Sequence, residues 1–129
     1  MLTIRPTDSG FGALVTGVNL TEALPARTIA AIREAWLTHQ VLGFPDQHLD
    51  LFGLERVASF LGEFGEDPFF ESLPGHSHIA EVRRNAEETT PLFAESWHSD
   101  WSFLAQPPSG TLLQAKTLPP MGGAARSRP

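Results

Sequence analysis

The chain has 129 residues, 41% of them hydrophobic, with nine Phe, three Trp and a formal net charge of −6. That is enough apolar material for one domain or part of one. The absence of cysteine excludes disulfides, thiolate metal sites and cysteine nucleophiles, and an acidic balance without a basic stripe removes nucleic acid from the expected partners.

Taken in order, Met1-Leu2-Thr3-Ile4-Arg5-Pro6 lacks the apolar stretch of a secretory signal, and nowhere does an apolar run approach the roughly 20 residues of a membrane span. No membrane partner is expected, and a cytoplasmic location follows by default. Phe11 to Leu20, with Val15 and Val18 punctuated by Gly10, Gly12 and Gly17, predicts a short strand or two with tight turns. From Pro25 to Gln40 the apolar residues Ile29, Ile32 and Trp36, widened by Ala35 and Leu37, recur at helical spacing, with Pro25 suited to the first turn. Val41 to Phe44 predicts a buried strand, and about Asp50 to Leu61 a second helix whose apolar face is Leu54, Val57, Ala58 and Leu61. These stripes are core, not a cofactor box.

Beyond Gly62 the pattern loosens. Phe64 to Gly75 predicts a long loop anchored by Phe69 and Phe70, Ile79 to Val82 a strand, and Arg83 to Phe93 a polar loop of the kind that often covers a site. Gly110 to Thr117 predicts a strand carrying Leu112 and Leu113. Twelve of the fifteen acidic residues fall between Asp46 and Asp100; surface solvation accounts for all of them except Asp100.

The stretch Glu95-Ser96-Trp97-His98-Ser99-Asp100-Trp101-Ser102-Phe103 carries the chemistry. In an extended strand residues i and i+2 share a face, so the imidazole of His98 and the carboxylate of Asp100 converge among large rings. Two histidines and one carboxylate on one face of a non-haem Fe(II) ion leave its other face open, and His-x-Asp supplies two of the three. On its own so short a motif is also what a surface loop would show, and His98 alone is also what a buried, hydrogen-bonded structural histidine would show. Trp97, Trp101 and Phe103 alternate as core positions do and are expected to wall the site. His76 and His78 form an H-x-H pair that would be ligands on a cupin strand, but after Pro74-Gly75 they are expected in a loop. His39, at a helix end, and His48, in a turn, are expected to be structural.

Around this motif, Trp97 to Phe103 is followed by Pro107-Pro108-Ser109-Gly110, Thr111 to Lys116, Leu118-Pro119-Pro120 and Gly122-Gly123. Upstream stand Gly12 to Leu20, His39 to Gln47 and Phe60-Leu61-Gly62-Glu63. The order resembles the Fe(II)- and 2-oxoglutarate-dependent dioxygenases of the taurine dioxygenase (TauD/TfdA-like) family. The resemblance implies an α+β chain forming the N-terminal part of a double-stranded β-helix (jelly roll) with two flanking helices. It also implies His98 and Asp100 as Fe(II) ligands, 2-oxoglutarate as cosubstrate, and a small organic acid or sulfonate as substrate.

Two departures bear on activity. The family's Thr that binds 2-oxoglutarate after the Gly-Gly turn is matched here by Ala125, and its distal iron-binding His and 2-oxoglutarate-anchoring Arg have no counterpart among these residues. Residues 1–123 are therefore expected to be the N-terminal portion of such a domain, with 124–129 a tail outside the family pattern from a frameshift, an early stop or a deliberate short form. The expectation is an inactive chain by itself, with strand edges open to self-association. The alternatives are a non-catalytic fragment and a cupin-like metal-binding module using His76, His78 and His98.

Overall fold

The computed structural model describes residues 1–91 and 96–120. Glu95, part of the polar loop before it, and the expected tail 124–129 with Ala125 lie outside the described residues, as does Gly122-Gly123.

Strand β1 (Thr3–Pro6) pairs antiparallel with β2 (Ala13–Thr16), in the register Thr3↔Thr16 to Pro6↔Ala13. The β1 strand has no strong sequence signal: four residues, Thr-Ile-Arg-Pro, with only Ile4 half-buried. On β2 the alternation is plain, with Ala13 and Val15 buried and Leu14 and Thr16 turned outward. Gly17 follows at φ 72°, and a Cβ there would lie 2.0 Å from the Met1 carbonyl oxygen. Only glycine lets the chain leave β2 so close to the start of β1.

Helix α1 (Ala26–His39) crosses to β3 (Leu42–Gly43), which pairs parallel with β2. Pro25 occupies the N-cap rather than the first turn, and its carbonyl accepts from the Thr28 and Ile29 N–H groups at 2.8 and 3.2 Å. Gln40, at φ 68°, ends the helix by donating its N–H to the Trp36 carbonyl. Ile32 and Ala35 are buried as expected, but Leu37 is 80% exposed and does not widen the apolar stripe. Only two residues of the expected strand 41–44 pair, and Val41 is exposed because β3 is the outer member of the sheet order β1-β2-β3.

Helix α2 (Leu51–Leu61) starts on Asp50, whose Oδ1 accepts from the Gly53 N–H at 2.7 Å and satisfies one of the helix's orphan donors. Val57 is buried with Leu20 and Leu49, and Val18, Leu24, Phe44, Leu54 and Leu112 pack around them. This small cluster packs α2 against the connections that follow β2 and β3 and against Leu112.

Two expectations are corrected beyond α2. The loop expected over 64–75 contains β4 (Ser72–Leu73), which pairs antiparallel with β5 (His76–Ala80). His76 and His78 are therefore on a strand, not in a loop. The hairpin docks on α2 through His76, which is 8% exposed: its Nδ1 donates to Glu55 Oε2 at 3.1 Å, and the Phe52 ring meets its face edge-on at 4.6 Å. An ionised carboxylate only accepts, so the proton is on Nδ1.

The segment 110–117 is not a strand. Its side chains alternate as strand residues do, with Leu112 and Gln114 turned inward and Leu113 83% exposed. No neighbouring strand among the described residues offers it a ladder, and side chains hold it instead. The Gln114 Nε2 and Lys116 Nζ groups both donate to the Leu49 carbonyl, at 3.1 and 2.7 Å. Gly110 lies so close to Trp36 that a Cβ would sit 2.5 Å from its ring. The architecture is α+β.

Candidate metal centre

The segment from Ser96 to Gln106 is a series of bends and turns rather than the extended strand that the i, i+2 argument assumed. The two candidate ligands converge all the same. His98 Nε2 lies 3.2 Å from Asp100 Oδ1, and the other ring nitrogen, Nδ1, donates to the Ser96 carbonyl at 2.8 Å. The chain turns directly after the pair at Trp101, in the left-handed region at φ 59°, with the Leu104 N–H closing the turn on the Trp101 carbonyl at 3.0 Å. For a bulky residue that conformation is costly, on the order of 1 kcal/mol, and such outliers gather at functional sites.

The Ser96 contact fixes the tautomer. A carbonyl only accepts, so Nδ1 carries the proton and Nε2 faces Asp100 with either a second proton or a bare lone pair. A metal ion held here would take the place of that second proton, since its ligands must be deprotonated. The 3.2 Å separation is close to what two adjacent ligands of one small divalent ion adopt with bonds of about 2.1 Å. A backbone carbonyl orienting the far nitrogen is also the usual outer support of a ligating histidine. The two donors match in kind two of the three ligands, two histidines and a carboxylate, of a non-haem Fe(II) site.

The pair is open, with side chains 48% and 57% exposed. Trp97 and Phe103 are each 58% exposed, so they are not core residues; a turn, unlike a paired strand, does not bury alternate positions. Trp101 is half-buried, with its ring 6.3 Å from that of Phe103, and Phe103 meets Phe69 edge-on at 5.3 Å.

Among the described residues no group of three His, Asp or Glu side chains could hold a metal ion. His76 is engaged with Glu55 and His78 is stacked on Phe64 at 4.2 Å, so the triad His76, His78 and His98 is not brought together. His39 and His48 join no such group either. One group at the site has no local sequence signal: Thr111, whose hydroxyl accepts from Trp101 Nε1 at 2.9 Å and lies 3.4 Å from Asp100 Oδ2. Its place eleven residues after Asp100 is set by tertiary packing.

The sequence matches the model of the taurine catabolism dioxygenase TauD, TfdA family over residues 3–126. The chain belongs to the TauD/TfdA family. Among curated TauD/TfdA relatives, it is 31% identical over 123 residues to an alpha-ketoglutarate-dependent sulfate ester dioxygenase of Pseudomonas putida, covering 95% of this chain and 40% of that one. It is 29% identical over 127 residues to an (S)-phenoxypropionate/alpha-ketoglutarate-dioxygenase of Sphingobium herbicidovorans, covering 93% and 42%. Two crystal structures from Burkholderia xenovorans also align with a TM-score of 0.57. One, assigned provisionally as an alpha-ketoglutarate-dependent taurine dioxygenase, is 30% identical and covers 65% of this chain and 32% of that one. The other, a taurine dioxygenase, is 27% identical and covers 64% and 31%. This TauD/TfdA chain thus spans about two fifths of the length of the curated relatives it matches. No helix among its described residues is long and apolar enough to cross a membrane.

Proposed function

We propose that this chain is the N-terminal part, over residues 1–123, of an Fe(II)- and 2-oxoglutarate-dependent dioxygenase with a double-stranded β-helix, and that His98 and Asp100 are two of its three metal ligands. The observation that carries this reading is the 3.2 Å approach of His98 Nε2 to Asp100 Oδ1, with Nδ1 held by the Ser96 carbonyl. The family membership supports 2-oxoglutarate as cosubstrate and a small organic acid, sulfonate or sulfate ester as substrate. The relatives named for sulfate esters and (S)-phenoxypropionate lie in that range.

When bound, Fe(II) with 2-oxoglutarate would supply the oxidative chemistry on O₂. This chain's residues have narrower tasks. The Ser96 carbonyl orients the imidazole, and Asp100 offers Oδ1 beside it. Trp101 and Phe103, with Trp97 beside them, flank the pair and shield it on one side. The open edges of β1 and β3 are the expected surfaces for self-association.

Anaerobic isothermal titration tests the ligand assignment. Weak Fe(II) binding is expected in the wild type, and no measurable binding in either His98→Ala or Asp100→Ala, since each leaves a single ligand. If His98→Ala binds Fe(II) as tightly as the wild type, the assignment is wrong.

A further inference from the structure

We propose that Thr111 and the indole N–H of Trp101 are positioning groups for Asp100, acting as a hydrogen-bond relay from Trp101 through Thr111 to Oδ2 of the carboxylate. The proposal rests on the reading of His98 and Asp100 as a metal pair, and it assigns a task to two side chains that touch no metal themselves.

Donor and acceptor chemistry fixes the direction of the relay. An indole N–H can only donate, so at 2.9 Å Thr111 Oγ1 must accept from it. The hydroxyl keeps its own proton to give, and Asp100 Oδ2 lies 3.4 Å away, long for such a contact. The two carboxylate oxygens are thereby distinguished: Oδ2 faces the hydroxyl, while Oδ1 faces His98 Nε2 at 3.2 Å. A carboxylate with nothing on its far oxygen rotates broadly about its last torsion. It could then present either oxygen, or both, to an ion.

The relay also refers Asp100 to the body of the protein. Trp101 follows Asp100 directly, and its left-handed φ sets where the indole lies relative to Asp100. Thr111 precedes Leu112, which packs on Leu20, Leu49 and Val57. The Gln114 and Lys116 side chains hold the same segment to the Leu49 carbonyl. The loop between Asp100 and Thr111 is thus closed at its mouth, and an otherwise exposed carboxylate is tied to the cluster of Leu20, Leu49 and Val57.

The test uses the 129-residue chain and four variants. Thr111→Val keeps the shape and removes the hydroxyl, Thr111→Ser keeps the hydroxyl, Trp101→Phe keeps a ring without the N–H, and His98→Ala reports on the metal pair. In ¹⁵N-labelled protein without metal, the Trp101 indole signal, assigned by its loss in Trp101→Phe, should exchange with solvent severalfold faster in Thr111→Val and at the wild-type rate in Thr111→Ser. On titration with Mn(II), the concentration that half-broadens the resonances around Asp100 should rise about tenfold in Thr111→Val and Trp101→Phe, the lower end of what loss of an outer-shell partner costs. Thr111→Ser should stay within about twofold of the wild type, well short of that outer-shell loss. Wild-type indole exchange or a wild-type Mn(II) midpoint in Thr111→Val would overturn the relay, as would an equal loss in Thr111→Ser. If His98→Ala keeps the wild-type midpoint, the metal pair itself falls and the relay's purpose with it. If only His98→Ala loses Mn(II), the pair stands and the relay alone is refuted.

Discussion

Supplied with Fe(II), ascorbate, 2-oxoglutarate and a panel of sulfonates and sulfate esters, the 129-residue chain by itself is expected to release no succinate above the metal blank. Two side chains meet at the candidate centre, and no third His, Asp or Glu joins them among the described residues. Misplacing reacting groups by about 1 Å can cost on the order of a hundredfold in rate, and among the described residues the pair has no third ligand to fix an ion. The informative companion is a chimera in which residues from 124 onward are replaced by the corresponding remainder of the Pseudomonas putida relative, 31% identical over the shared part. Succinate release from the chimera, abolished by His98→Ala, is the expected result. Light scattering should accompany the assay, because pairing at the β1 and β3 edges is the route by which a second copy could lend a ligand. Clear, Asp100-dependent succinate release from the 129-residue chain would sink the proposal that these residues need a further ligand.

The second large effect is on stability. Gly17→Ala should lower the melting temperature by roughly 10 °C, corresponding to about 2–3 kcal/mol in a domain of this size. A left-handed conformation costs a non-glycine residue about 1–2 kcal/mol. The new Cβ would also lie 2.0 Å from the Met1 carbonyl oxygen, so the end of the β1–β2 ladder must move. Gly10→Ala is the matched control: Gly10 has φ 85° but nothing within 4 Å of the added carbon, so only the conformational cost should appear. Equal melting temperatures for the two variants would show that the crowding at Met1 relaxes at no cost.

The parts of this fold legible in the sequence are those set by local spacing. Ile32 and Ala35 on α1 and Val57 on α2 lie where the helical period puts them, and Asp50 marks the start of its helix. The family itself was legible from the segment around His98 and Asp100 together with its proline and glycine setting. What was not legible depends on partners distant in the chain. The period-two pattern over 110–117 is real, but a strand needs a neighbour, and what the described residues provide is side-chain contacts, such as those to the Leu49 carbonyl and from the Trp101 indole. His76 could not be read as buried, because Glu55, 21 residues earlier, is what makes burial tolerable. At the site, His98 and Asp100 approach each other within an irregular run that leads into a turn, not on the extended strand assumed.

The anchoring of Gln114 and Lys116 on Leu49 has a consequence for the order of folding. Those contacts close loops of 65 and 67 residues, whereas β1, β2, α1, β3 and α2 are joined by short connections within the first 61 residues. Chain-entropy cost falls on the long closures, which therefore form after the local ones. As the chain emerges during synthesis, the N-terminal layer can assemble before His98, Asp100 or Thr111 exists. The candidate centre is then the last region to dock and the first to loosen. In native-state hydrogen exchange the amides of 98–116 should open at lower free energy than those of β2 and α2, and equal protection across both would contradict that order.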